Sequence, residues 1–236
     1  MRWRLLRLNW AYGVGELAIV VVGVMIALGF EQWNSDRLDR VEEAEIIDRF
    51  IADLRVDLED LSSGLNIAAT KEESLQRIYA SLSSSVKRPT DEAGFLEDVA
   101  AAAVYGWDQA KARRTTFDEV LGSGKFGLIR DTSIRVQIAD YYESDVSRST
   151  RIDERETEYP GLSYGLVPRD GERAIATGLS GEQLGLLVDE VFASLRPSQV
   201  IAERNFGQFV AARFTAWQNG CLGLIDALEA YRDSLG

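Results

Sequence analysis

Residues 10–33 read WAYGVGELAIVVVGVMIALGFEQW, and the fold turns on how that stretch is read. Leu17 to Phe30 is a run of uncharged residues between Glu16 and Glu31. As a helix that run rises roughly 21 Å, short of a hydrocarbon core of about 30 Å. Counted from Trp10 to Trp33 the rise is roughly 34 Å, enough to place an indole ring at each interface, with Tyr12 beside the first. The stretch therefore reads as a membrane-spanning helix over residues 10–33. Gly13, Gly15 and Glu16 then lie within the membrane or at its inner boundary. Two other readings compete. A short apolar run also suits a buried core helix of a soluble protein. Arg2, Arg4 and Arg7, followed by Ala27-Leu28-Gly29, also suit a cleaved signal peptide. The aromatic belts and flanking charges oppose the first, and Glu16 at the edge of the apolar run opposes the second.

Orientation follows from the basic residues. Three arginines precede the span, and only Arg37 and Arg40 follow it closely, interleaved with Asp36, Asp39, Glu42 and Glu43. The rule that Lys and Arg stay on the cytoplasmic side then puts residues 1–9 inside and the remainder outside. Glu16 has two readings: a lateral hydrogen bond to a partner helix, or a carboxylate reaching water from the first turns of the span. Ala11/Gly15 and Gly23/Ala27 are small-residue pairs at four-residue spacing, which let another helix approach closely. Gly15, Glu16, Gly23 and Ala27 are therefore the candidate helix contacts, and Trp10, Tyr12 and Trp33 the candidate interface residues.

Composition bounds the rest. The chain has 236 residues and a net charge of −12, and since residues 1–30 hold three Arg and one Glu, residues 31–236 carry −14. So acidic a body is not built to bind nucleic acid through phosphate contacts, and an anionic lipid surface repels it. A single cysteine, Cys221, excludes an intrachain disulfide and reads as a small buried apolar residue. There is no histidine, which excludes Ser-His-Asp and Cys-His catalysis and the usual His-containing zinc sites. No phosphate-binding glycine loop or calcium-loop spacing occurs. No cofactor is expected.

Beyond Trp33 the pattern is an amphipathic, stalk-like helix over 36–83. Ala44, Ile47, Ile51, Leu54, Leu58, Leu61, Leu65 and Ala68 step by three and four, and the register resumes at Leu75, Tyr79 and Leu82 after a break at Glu72. Such a seam pairs two chains or packs within one bundle. Ile46, Phe50 and Val56 widen the stripe and favour internal packing. Gly64 marks an expected bend. Thr90 or Asp91 is positioned to cap a helix running to about Tyr105 through Ala100–Ala103. Thr116 with Glu119 fits a capping box, and Gly122 or Gly124 a left-handed stop. Phe126, Leu128 and Ile129 then return to the core, and Asp131 or Thr132 starts a helix through Ile134, Ile138, Tyr141 and Tyr142.

On these residues the chain resembles an uncharacterised bacterial family of single-pass inner-membrane proteins. The likeness rests on Gly15-Glu16, the apolar run, Ala27-Leu28 and Trp33-Asn34, then on Ser123-Gly124, Leu128-Ile129-Arg130 and Tyr141-Tyr142. It covers most of residues 10–145 and departs at Gly29-Phe30-Glu31. It implies a membrane-anchored protein with a helical extracytoplasmic domain, and no activity.

Residues 159–180 hold Pro160, Pro168 and several glycines and read as an irregular loop. Its apolar members Tyr159, Leu162, Tyr164 and Leu166 are expected to pack either on the bundle or on a partner. Ser180 with Gln183 fits a capping box, and Pro197 suits the first turn of a last helix. That helix carries Phe206, Val210, Phe214 and Trp217, then Leu224, Ile225, Leu228 and Tyr231, with Asn219-Gly220 as an expected interruption. The expected architecture is all-α: residues 1–9, a span at 10–33, a bundle at 34–158, the loop, and C-terminal helices at 181–236 of the same bundle.

The expected function is non-catalytic: an accessory or scaffolding subunit of an inner-membrane complex, touching lipid and other inner-membrane subunits or its own copies. The alternative is an extracytoplasmic ligand sensor signalling sideways through the span, since residues 1–9 hold no output domain. A third reading is a carboxylate-dependent hydrolase, which needs two buried carboxylates about 5–10 Å apart in one cleft.

Overall fold

A computed structural model describes residues 10–85, 88–104, 111–153, 157–170, 173–174 and 179–235, with residues 10–15, 145–153 and 173–174 described as backbone only. The architecture is all-α. Helix α1 is Trp10–Ser83, α2 Glu92–Ala101, α3 Thr115–Gly122, α4 Thr132–Asp153, α5 Tyr159–Leu166, α6 Gly181–Ser194 and α7 Pro197–Ser234. A short 3₁₀ turn, Lys125–Leu128, joins α3 to α4.

Helix α1 runs unbroken for 74 residues, roughly 110 Å. All four prolines lie beyond Ser83, so nothing in α1 removes a backbone donor. The helix is not interrupted at Gly64, the expected weak point. Gly64 is buried against α7 beside a small cavity it shares with Gly207 and Val210. Packing there outweighs the roughly 1 kcal/mol helix penalty of one glycine. The expected interruption at Asn219-Gly220 is absent too, because buried Trp217, Cys221 and Leu224 hold α7 to α1 on both sides of it.

Helix α7 lies antiparallel to residues 43–83 of α1. Arg204 pairs with Glu72, Arg55 with Glu229 and Asp48 with Arg232, in that order along the two helices. The heptad seam is thus filled from within the chain, with Ile46 and Phe50 fully buried as the widened stripe implied. Near its end the register differs from expectation: Ile78 is buried and Tyr79 exposed. A straight α-helix repeats every 3.6 residues, so a 3.5-residue pattern drifts off the packed face.

Two apolar cores form on this helix pair. One gathers Ile46 to Leu61, Phe117, Val120, Ile129, Ile134, Ile138, Tyr141, Tyr142 and the second half of α7. The other gathers Leu75, Ile78, α2, Tyr159, Val167, α6 and Val200. Helix α2 stops at Ala101, short of the expected end; Ala100, and Ala102 and Ala103 in the turn that follows, are buried in this core.

The caps divide. Asp91 accepts from the Gly94 N–H at 2.9 Å, and Asp131 from Ser133 and Ile134. Ser180 and Gln183 form the reciprocal box, and Pro197 opens α7. Gly124 is the left-handed residue, φ 73°. Thr116 does not cap α3; it sits inside the helix, and Asp53 of α1 accepts its N–H at 3.2 Å. The stretch 159–180 is not wholly irregular. Pro160 lies in the first turn of α5, where its missing N–H costs nothing. Arg169–Asp170 and Arg173–Ala174 form a two-residue antiparallel ladder. Tyr105 lies outside the described residues.

Candidate membrane and partner interface

The apolar segment of α1 packs against nothing among the described residues. Every residue from Glu16 to Leu38 is exposed, and the first buried side chain is Glu43. This is the one helix among the described residues long and apolar enough to cross a membrane. The buried-core-helix reading fails here, because no side chain from Leu17 to Phe30 is covered. An uninterrupted apolar surface on this scale marks a contact with lipid or protein. Trp33 is 58% exposed, its ring 5.7 Å from Phe30. Glu16, Gly23 and Ala27 face open space, and a Cβ added at Gly23 meets nothing within 4 Å. The side chains of Trp10, Tyr12 and Gly15 lie outside the described ones.

From Trp33 to Glu43 the helix rises about 15 Å as a bare stalk. Leu38 and Val41 are 61% and 51% exposed on it. The body is therefore joined to the apolar segment by continuous helix, with no hinge.

The four residues singled out at 159–166 are split. Tyr159 is fully buried and donates its hydroxyl to the Val99 carbonyl at 3.1 Å. Leu162 and Leu166 are half-buried, Leu166 against the second core. Tyr164 stays exposed with the Arg169 guanidinium 4.1 Å above its ring. Tyr159 is thus a core residue, not a partner contact.

Three buried charged positions on α1 recur every fourteen residues, about 21 Å apart along the helix. Glu43 accepts the Arg130 N–H at 2.7 Å and the Tyr231 hydroxyl. Asp57 accepts the Arg113 N–H and the Tyr141 hydroxyl, each at 2.8 Å. Lys71, 4% exposed, pairs with Glu203 of α7, 0% exposed, and Glu203 also accepts from the Thr157 hydroxyl. Burial pushes the Lys71 ammonium below its usual range, and Glu203 opposes that. This pair sits between the two cores, beside a groove of about 220 Å³ lined by Ala68, Ala69, Leu75, Gly207 and Ala211. Burial likewise raises the phenols of Tyr141, Tyr142 and Tyr159, and the Cys221 thiol to about 11. Cys221 is buried and donates to the Leu54 carbonyl at 3.2 Å.

These carboxylates are engaged by donors and lie on different levels, so Glu43 and Asp57 share no cleft. No group of three His, Cys, Asp or Glu side chains suited to a metal ion occurs among the described residues. Sequence reasoning passed over Lys71 and Glu203. The available signal was a charge standing at core spacing: Lys71 where the seam lapses before Leu75, and Glu203 between Val200 and Phe206.

The family model described as "Family of unknown function (DUF6090)" matches residues 16–154, more than half of the chain. The match takes in the apolar segment, the stalk, α2, α3 and α4. No curated protein matches, and no solved structure matches.

Proposed function

The chain belongs to DUF6090, a family of unknown function, and from that premise we propose that it is a membrane-anchored, non-catalytic interaction protein. Residues 10–33 cross a bacterial inner membrane once. Residues 1–9 stay in the cytoplasm, and the helical body stands in the periplasm as an accessory or scaffolding subunit. The observation that carries this reading is that Leu17–Phe30 is uncovered along its whole length while the same helix enters a fully packed body from Glu43 onward. In water that surface costs free energy at about 25 cal/mol for each Å² left exposed, and lipid removes the cost. The excess of arginines before the span supports the orientation. The body's charge of −14 and its stalk support a domain held off an anionic surface.

Alkaline carbonate washing of membranes from cells expressing the full chain tests the anchor. The protein is expected in the pellet and in the detergent extract; recovery in the carbonate supernatant refutes the reading. Alkaline phosphatase fused after Gly236 is expected to be active, and an inactive fusion reverses the topology. Gentle detergent extraction is expected to retain a binding partner, and a bare monomer contradicts the scaffolding role.

A further inference from the structure

The seam that sequence reading offered for self-association is occupied by α7, so pairing of copies through α1 needs another of its faces. One face is left over. At roughly 100° per residue, Glu16, Gly23, Ala27, Asn34, Leu38 and Val41 fall within a sector roughly 60° wide. Glu43, Ile46, Ile47 and Phe50, which meet the body, point the opposite way. Because α1 is unbroken, this face runs from the apolar segment onto the stalk without changing side.

We propose that this face docks a second copy of the same chain, forming a parallel two-fold dimer along residues 16–41. The proposal rests on the membrane-anchored reading and names its partner.

Three observations select a second copy. The body lies on the far side of α1, so two copies can close on this face without their bodies meeting. Asn34 lies in the face, and in a parallel two-fold pair it meets its own counterpart at the same depth, where each amide both donates to and accepts from the other. Charge complementarity is the third. Arg37 and Glu42 flank the face on opposite sides, five residues apart, which sets Arg37 of one copy beside Glu42 of the other, twice per dimer. Both are accessible: Arg37 is exposed, and Glu42 is half-buried beside Lys125 at 2.6 Å. Gly23 and Ala27 let the backbones approach, and Leu38 and Val41 add the apolar contact on the stalk. A shared bilayer supplies the parallel orientation.

Cysteine cross-linking of the full-length chain in native membranes tests this. The native Cys221 is buried, so the unsubstituted chain serves as the blank. Leu38→Cys and Val41→Cys lie on the face, and Asp36→Cys and Asp39→Cys on the opposite side. Under mild copper–phenanthroline oxidation the first two are expected to give disulfide-linked homodimers in severalfold higher yield than the second two. Arg37→Glu in the Leu38→Cys background is expected to lower that yield severalfold. Equal yields on all faces indicate random collision and overturn the proposal. So does a cross-link to a different protein, or no cross-link in variants that stay in the carbonate-washed pellet; both leave the membrane reading standing. Release of the variants by carbonate overturns both.

Discussion

The Tyr141 hydroxyl of α4 donates to the Asp57 carboxylate of α1 at 2.8 Å, across 84 positions of sequence, with both side chains out of water. The other carboxylate oxygen receives the Arg113 N–H, so one side chain of α1 fastens both the entry to α3 and the middle of α4. Burial alone raises the phenol, and the Asp57 charge raises it further. A neutral hydroxyl donating to a carboxylate is the arrangement both groups favour.

Asp57→Ala leaves the Arg113 N–H and the buried Tyr141 hydroxyl without their acceptor and is expected to cost about 2–4 kcal/mol. Tyr141→Phe removes only one donor and is expected to cost about 1–2 kcal/mol. Urea unfolding of the two single variants and the double variant measures the coupling. Additive losses would mean that the two residues act independently.

The Lys71–Glu203 pair is expected to show the asymmetry of buried ion pairs. Lys71→Met or Glu203→Leu alone takes the opposite charge away from a buried ion and costs about 3–5 kcal/mol. The double variant puts apolar volume on both sides and is expected to recover most of that loss. Unfolding midpoints in mild detergent decide it. A double variant as unstable as either single one would show that the pair itself, and not the avoidance of an imbalanced buried charge, holds α1 to α7.

Alkaline pH is expected to destabilise the body. Tyr141, Tyr142, Tyr159 and Cys221 all hold their protons more tightly folded than unfolded, because burial penalises the anion. Their contribution is intact below the unfolded values, about 8.5 for a thiol and about 10 for a phenol, and falls as pH rises through the folded ones. Lys71 runs the other way. Its folded value is lowered, so stability gains as pH climbs from there toward about 10.4. Tyr231, raised by burial, acts with these four against Lys71, and the net slope is expected to be downward above about pH 10. Thermal melts against pH, followed with phenolate absorbance, check this. Phenolate from these three tyrosines should appear only as the helix signal is lost; their free titration in the folded protein would sink the prediction.

Gly122 and Gly124 form a matched pair. Neither has an atom within 4 Å of an added Cβ, so space does not distinguish them. Gly122 ends α3 and Gly124 has φ 73°. Gly122→Ala is expected to gain roughly 0.5–1 kcal/mol from the lower entropy of the unfolded chain. Gly124→Ala is expected to lose about 1–2 kcal/mol in the left-handed region. Equal effects in chemical denaturation would rule out the conformational explanation.

Local signals were legible where a few adjacent residues complete an interaction among themselves. The capping box at Ser180 and Gln183, the start of α7 at Pro197, the stop at Gly124 and the apolar run to Phe30 all close within one or two turns. Thr116 was misread because its N–H is taken by Asp53, 63 positions away. Gly64 and Asn219-Gly220 were misread as breaks because a helix interior tolerates weak residues when a neighbouring helix holds it. Which of the two expected surfaces takes Tyr159, bundle or partner, was left open because its pocket is closed by α2, 60 positions away.

By itself, then, the order of residues settled that this chain is helical, acidic, without histidine, and tipped with a segment suited to lipid. Those properties depend on composition and on periods of a few residues, and they hold whatever the chain packs against. Which face of α1 meets α7, which charges are buried at Glu43, Asp57, Lys71 and Glu203, and which face is left bare were decided only in three dimensions. A helix carries residues on every side, and only the neighbours that settle against it determine which side leaves water.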